Sequence, residues 1–261
     1  MPLVQEEDIH RLKKFVDLHL PKEDGFESYL FQLGDYNDSV SSDFHFDVDP
    51  RVIGLLILST PAMFDVSFRR WVGDKCLEFG SLDRLAEEIT SPIQEFMADR
   101  LEPILENLTV PFELFHDHSL WPSRKPKILM QTCGHVSGAA FYYQPQFLAT
   151  ADWPPAGVMD KNSKFIGLSL HPNYGGHFAF RSVLIFPDTL IEKLMVPVPR
   201  SILKTDGEAR EALEKFNFSW RDSGFRDFGN PKHRYSQTQM EFFGKPPADR
   251  WQVLKKWFPD H

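Results

Sequence analysis

The sequence predicts an α+β fold with a largely antiparallel sheet. Helical patterns dominate the first hundred residues, strand patterns crowd the middle, and helical patterns return at the end. Two strand patterns, at 165–170 and 178–186, are linked by H-P-N-Y-G-G-H, whose Pro, Asn and Gly pair favour an antiparallel hairpin. A doubly wound parallel fold would need strands and helices to alternate throughout, and neither a G-x-G-x-x-G after a strand nor a Walker loop is present.

The elements follow in order. Ile9, Leu12, Phe15, Val16 and Leu20 recur at helical spacing and predict a helix over 6–20, stopped by Pro21. The apolar run 52–58 reads as a central buried strand, ended by the turn-like Ser59-Thr60-Pro61. Helical patterns cover 65–79 and 81–105, and Ser91-Pro92 divides the second into two helices. Gln94 completes a capping-box pattern with Ser91, and Glu95 sits near the positive end of the new helix dipole. Alternating Val110, Phe112 and Leu114 predict a strand. W-P-S-R-K-P-K at 121–127 is a Pro-flanked basic loop, and 128–130 opens the next stretch as a buried strand. Residues 145–162, rich in Pro, Ala and Asp, read as a loop, and 187–206, broken by Pro187, Pro197 and Pro199, as a wandering connection. Segments 207–217, 236–243 and 248–258 read as short helices. There is no internal repeat, and the whole of 1–261 reads as one domain.

At 261 residues and 42% hydrophobic, the chain can bury a substantial core, and its 24 phenylalanines suit broad apolar interiors or pockets. A net charge of -8 with no basic block argues against nucleic acid or anionic membrane as partners. The run 52–58 is far too short to span a bilayer. Only Cys76 and Cys133 are present, and the N-terminal residues lack the apolar core of a signal peptide, so the expected location is the cytosol.

Candidate chemistry centres on 127–144, K-I-L-M-Q-T-C-G-H-V-S-G-A-A-F-Y-Y-Q. Its small residues let something approach the backbone closely, and it ends on Phe141, Tyr142 and Tyr143, with Gln131, His135 and Gln144 as polar groups. Such a segment is either the wall of a pocket for a flat apolar ligand or a tightly packed core crossing, and residue types alone favour the core. His116-Asp117-His118 invites a metal reading but has no convincing third ligand, so a solvated strand end is the better account. No G-x-S-x-G occurs, and a buried inert thiol fits Cys133 better than a catalytic one. Arg181 closes an apolar strand pattern, while Arg226 and Arg250 lie beside acids. Each could pair with a nearby carboxylate; if they converge instead, they make a site for a small polycarboxylate, because the guanidinium fork binds carboxylates bidentately.

The stretch P-K-I-L-M-Q-T-C-G-H-V-S-G-A-A-F-Y-Y-Q resembles the core of the CblC cobalamin-processing family, the methylmalonic aciduria and homocystinuria type C family. Five further segments match in the same order: L-S-T-P-A-M-F-D at 58–65, H-P-N-Y-G-G-H-F-A-F-R at 171–181, F-N-F-S-W-R-D at 216–222, R-Y-S-Q at 234–237 and P-P-A-D-R at 246–250. The resemblance implies a flavin-reductase-like (nitroreductase-like) α+β fold and cytosolic binding of vitamin B12 derivatives in the base-off form. It implies reductive removal of cyanide from cyanocobalamin with reduced FMN or FAD, and transfer of the alkyl group of methyl- or adenosylcobalamin to glutathione. By position it implies a cobalamin lining of Asp117, Ile128, Leu129, Met130, Gln131, Tyr142, Tyr143, Gln144, Ile166 and Phe180, with Ile166 standing where the family has a small polar residue. It implies a glutathione site at Arg181, Arg226 and Arg250.

His135-Val136-Ser137-Gly138, with Gly175-Gly176 downstream, resembles the His-x-x-Gly and Gly-Gly marks of B12-binding proteins. Cys133 stands where an Asp precedes the cobalt-ligating histidine of B12 enzymes, so His135 is expected to line the pocket or order its loop and not to ligate cobalt. The basic loop corresponds to an arginine-rich dimerisation loop with Arg124 kept and Lys125 in place of Arg, which weakens a ligand-dependent homodimer. A CblD-type partner is also implied. Two other readings remain at this level: a flavin-dependent reductase of another substrate, and a cobalamin carrier without catalysis.

Overall fold

The computed structural model describes residues 3–150, 152–154 and 165–258. Its centre is a four-stranded antiparallel sheet in the order β1 (Phe26–Gln32), β2 (Val52–Ser59), β6 (Ala179–Leu190), β3 (Glu113–His116). All eight residues of β2 are buried, as its unbroken apolar run requires of a strand covered on both faces. Ile53, Leu55 and Ile57 face one layer, in which α1 (Glu6–His19), α3 (Arg69–Phe79), α4 (Leu82–Glu88), α5 (Pro92–Asn107), α9 (Gln237–Gly244) and α10 (Arg250–Leu254) supply Ile9, Val16, Phe96, Phe242 and Trp251. A π-helical turn, Met63–Phe68, leads into α3. Leu56 and Leu58 face the other layer, built on α2 (Leu33–Asp38) and α6 (Met130–Val136). A smaller core joins β4 (Phe141–Tyr143) and β5 (Leu168–Leu170), which pair with each other, to α8 (Asp206–Phe218). Among the described residues no helix is long and apolar enough to cross a membrane.

Several local expectations are corrected. Residues 128–130 are not a strand, because Met130 starts α6. Segments 165–170 and 178–186 do not pair as a hairpin: β5 joins β4, β6 joins β2 and β3, and the link closes on itself through a His171–Gly175 bridge. Strand β6 continues through Pro187 to Leu190, into the expected connection. The expected strand at 110–114 begins at Glu113, and β1 and α2 were not anticipated. Helix α5 starts at Pro92, but its capping box does not form: Gln94 N–H bonds the Ser91 carbonyl and the Ser91 side chain makes no cap bond. The loop expected at 145–162 contains a helical turn, α7 (Pro145–Leu148); residues 151 and 155–162 of it lie outside the described set.

One irregularity matters for the site. In the β2–β6 ladder Ile57 pairs with Ser182 and Leu58 with Phe180, so Arg181 is the extra residue of a bulge. Phe180 therefore packs in the α6 layer beside Leu58 and Val183, whereas Arg181 turns to the opposite layer and lies over Phe243. Without the bulge the two side chains would exchange faces.

Candidate functional site

Three guanidinium groups gather on one aromatic cluster. Arg181 lies 5.9 Å from the Phe243 ring centroid and Arg250 lies 5.8 Å from it, and Arg250 is also 5.4 Å from that of Phe242. Arg226 stands 5.0 Å from the Tyr235 centroid and 4.7 Å from that of Phe225, while Tyr235 and Phe243 are themselves 5.7 Å apart. Electron-rich ring faces make these arrangements favourable. The nearby acids are not used: among the described residues none of the three arginines has a carboxylate within 4.0 Å. Arg181 is 7% exposed; its Nε donates to Ser59 Oγ at 2.7 Å, and its Nη2 is buried with no partner among the described residues. Burial pushes the Arg181 pKa down, and burial with the Arg181 charge does the same to Arg250. A buried guanidinium without a counter-charge is costly, so this is a place where an anion gains most.

Two cavities meet at Phe243. One of 290 Å³ is bounded by Asp117, Arg181 and Arg250 together with His116 and His118. The other, 370 Å³, is bounded by Ile166, Phe216, Trp220, Arg226 and Tyr235. The paired glycines of H-P-N-Y-G-G-H support the second: a Cβ on Gly176 would lie 2.8 Å from Arg226 Cα, and one on Gly175 2.4 Å from the Arg226 carbonyl oxygen. Gly176 N–H donates to that carbonyl at 2.9 Å, and Arg226 Nη1 donates back to the Gly176 carbonyl. The Gly-Gly mark therefore lets the turn carrying Arg226 sit against the loop between β5 and β6. His177 completes this support. Its Nδ1 accepts the Tyr235 N–H at 3.2 Å, which leaves Nε2–H to donate to Asp227 at 3.0 Å. Burial lowers its pKa, in keeping with a neutral ring.

The central stretch forms a neighbouring wall. Helix α6 ends at Val136 and the chain turns into β4, placing His135, Tyr142, Tyr143 and Gln144 on a cavity of 400 Å³. His135 Nδ1 accepts the Tyr142 N–H at 3.2 Å, and burial depresses its pKa, so the neutral ring orders this turn. A Cβ on Gly134 would sit 2.5 Å from the Phe180 ring, which explains the small residue beneath it. Cys133 is fully buried, and burial raises its thiol pKa well above the ordinary value, which disfavours the reactive thiolate.

The expected lining residues are not equivalent. Tyr142, Gln144, Gln131 and Leu129 are partly accessible, and Ile166 is exposed. Ile128, Met130 and Tyr143 are buried, and the Tyr143 hydroxyl accepts the Ile202 and Leu203 N–H groups at 2.9 and 3.1 Å. Asp117 N–H donates to the Arg181 carbonyl at 3.0 Å, and its carboxylate pairs with His118. His116 and His118 stack at 5.1 Å, but no group of three possible metal ligands exists among the described residues. Ser59, Tyr235 and Phe243 were missed as site residues. Ser59 and Tyr235 stand inside segments that carried the resemblance, but nothing in their spacing gives them a role.

Comparison with known proteins places the chain in a family. The model of the methylmalonic aciduria and homocystinuria type C family matches residues 25–254. A Caenorhabditis elegans protein named MMACHC-like protein is 57% identical, covering 94% of this chain and 93% of its own. Proteins of Gallus gallus and Homo sapiens named cyanocobalamin reductase / alkylcobalamin dealkylase are 34% and 35% identical over 88% of this chain, with 90% and 76% of their own lengths covered. The crystal structure of a C. elegans B12-trafficking protein CblC, described as a human MMACHC homologue, matches with a TM-score of 0.93 and 56% identity over 97% of both chains. Matched from the start of β1 to the end of α10, the chain belongs to the methylmalonic aciduria and homocystinuria type C family.

Proposed function

We propose that this chain binds cobalamins base-off, transfers the alkyl group of methyl- or adenosylcobalamin to glutathione, and reductively removes cyanide from cyanocobalamin. The observation that carries the reading is the trio Arg181, Arg226 and Arg250 on one aromatic cluster, with no acid partner among the described residues. Glutathione brings two carboxylates and a thiol, and the trio offers cations in two cavities that meet at Phe243. Tyr142, Gln144 and Phe180 supply aromatic faces and an amide for the broad, amide-edged corrin.

In the dealkylation, the thiolate sulfur attacks the alkyl carbon in line with cobalt. A sulfur–carbon bond forms, the cobalt–carbon bond breaks, and its electron pair stays on cobalt as cob(I)alamin. The arginines bind and orient the nucleophile, and this positioning is the chain's contribution to the rate. A reduced flavin, FMN or FAD, supplies the electrons for decyanation. Trp220, Tyr235 and Phe243 suit its ring, and Arg221 and Arg226 beside them suit its phosphate. On this reading flavin and glutathione use overlapping residues and serve alternative reactions.

We read the fold as flavin-reductase-like, the whole of 1–261 as one domain, and the setting as cytosolic. A CblD-type partner receives the product. The loop at 121–127 offers exposed Trp121 to a second copy, but Lys125 is tied to Asp43 at 2.8 Å, so ligand-dependent dimerisation is weak. The test is the visible spectrum of methylcobalamin with the purified protein, followed by glutathione without oxygen. The base-off spectrum and then cob(I)alamin bands are expected. A base-off shift that ignores glutathione would leave a carrier, and no shift would remove the cobalamin reading.

A further inference from the structure

We infer that Ser59 is a positioning residue for the thiol substrate: through Nε it fixes the Arg181 guanidinium, which lines a cavity together with Arg250. The inference rests on the proposed role of the arginine trio. Ser59 is the last residue of β2 and is 1% exposed. It follows Ile53, Leu55 and Ile57 on the face that carries Phe243, the face to which the bulge at Arg181 turns the guanidinium. The Nε–Oγ bond of 2.7 Å is the one hydrogen bond seen for this side chain among the described residues. Nη2 is buried and has no partner among the described residues, and the ring of Phe243 supports the group from one side.

A guanidinium held by one ring face alone can rotate about its last side-chain bonds. A hydroxyl accepting from Nε removes that freedom and holds the guanidinium plane in one orientation, the preorganised fork that a carboxylate needs. The hydroxyl is neutral, so it orients Arg181 without supplying the counter-charge that an aspartate would. An aspartate at 59 would pair with Arg181 and compete with the ligand carboxylate. The choice of a neutral acceptor at the end of a buried strand thus keeps the cation available.

The experiment is steady-state anaerobic dealkylation of methylcobalamin by Ser59→Ala, Ser59→Cys, Ser59→Thr and Arg181→Ala, each first shown to give the base-off spectrum. The two variants lacking the hydroxyl are expected to raise the glutathione KM about tenfold, the scale of one hydrogen bond to a charged group, with kcat within about twofold of the parent. Ser59→Thr keeps the hydroxyl and is expected to restore most of the affinity. Should Ser59→Ala fold poorly, Ser59→Cys, closer in volume, carries the comparison. An unchanged KM in the hydroxyl-free variants, with a raised KM in Arg181→Ala, overturns the role of Ser59 alone. An unchanged KM in Arg181→Ala overturns the thiol site itself, and the role of Ser59 with it.

Discussion

At the residue scale, each arginine of the trio is set by a different neighbour. Arg181 depends on Ser59, Arg226 on Gly176 and Tyr235, and Arg250 on Phe242 and Phe243. Phe243 is the shared platform for Arg181 and Arg250, so Phe243→Leu should weaken glutathione binding by about 1 kcal/mol, the scale of a half-buried cation–π contact, and leave the base-off spectrum intact. Isothermal titration with glutathione on the cobalamin complex checks this, and an undiminished affinity contradicts it. Histidine titration gives a second prediction. Burial lowers the pKa of His116, His135 and His177 from the ordinary 6.5, so the folded chain refuses protons that the unfolded chain takes. Stability is therefore full above about pH 7 and falls as the pH drops below 6.5, by the amount each folded value is depressed. Glu27 adds a further loss lower down. Burial alone would raise its pKa, but hydrogen bonds from His171, Tyr29 and Tyr174 outweigh it and hold the group at about 2, so its contribution disappears as the pH falls from 4.5 towards that value. Urea midpoints at pH 7.5 and 5.5 test the histidine part, and a higher midpoint at the lower pH would refute it. Of this site, the sequence made legible which residues carry charge. That Asp227 pairs with His177 and Arg234 and not with its neighbour Arg226 depends on distances no spacing encodes.

At the scale of elements, β2 and its partner β6 organise both layers. Leu56 is fully buried in a strand covered on both faces, so Leu56→Ala should cost about 3 kcal/mol in transfer and cavity terms, read as a lowered urea midpoint with an unchanged slope. A loss under about 1 kcal/mol would mean that the site collapses around the cavity. Helix α1 and strand β2 were readable because a helical repeat and an unbroken apolar run each admit one regular explanation. Strand β1, F-E-S-Y-L-F-Q, alternates buried and half-buried residues only in part, and it passes straight into α2 without a turn signal. The triplet Ile128-Leu129-Met130 looks like a strand by composition, yet tertiary packing makes Met130 a helix start, with Gly134 admitted beneath Phe180. The expected hairpin failed for a related reason. The turn chemistry of H-P-N-Y-G-G-H was read correctly as a turn, but the loop uses its glycines to admit Arg226, and each flanking strand finds a distant partner. The bulge at Arg181 was invisible, because register belongs to the pair of strands and not to either one.

Across the whole molecule, the sheet separates two tasks. On the proposed reading the side of α6 and β4 serves the corrin, Arg181 and Arg250 meet on Phe243 on the opposite side of the sheet, Arg226 joins them from the turn beside Phe225, and the bulge sends Phe180 to the first side and Arg181 to the second. Composition and the order of patterns made a large core and an α+β class legible, and long motifs in register made the family legible, while the bulge that parts Phe180 from Arg181 needed three dimensions. The most direct measurement is mass-spectrometric detection of S-methylglutathione when methylcobalamin and glutathione are mixed anaerobically with the parent chain and with the Arg181→Ala/Arg226→Ala/Arg250→Ala variant. One S-methylglutathione for each cob(I)alamin formed by the parent, with a base-off but unreactive complex in the triple variant, is the predicted result. Equal product from both proteins would contradict the assignment of the arginine trio to the thiol.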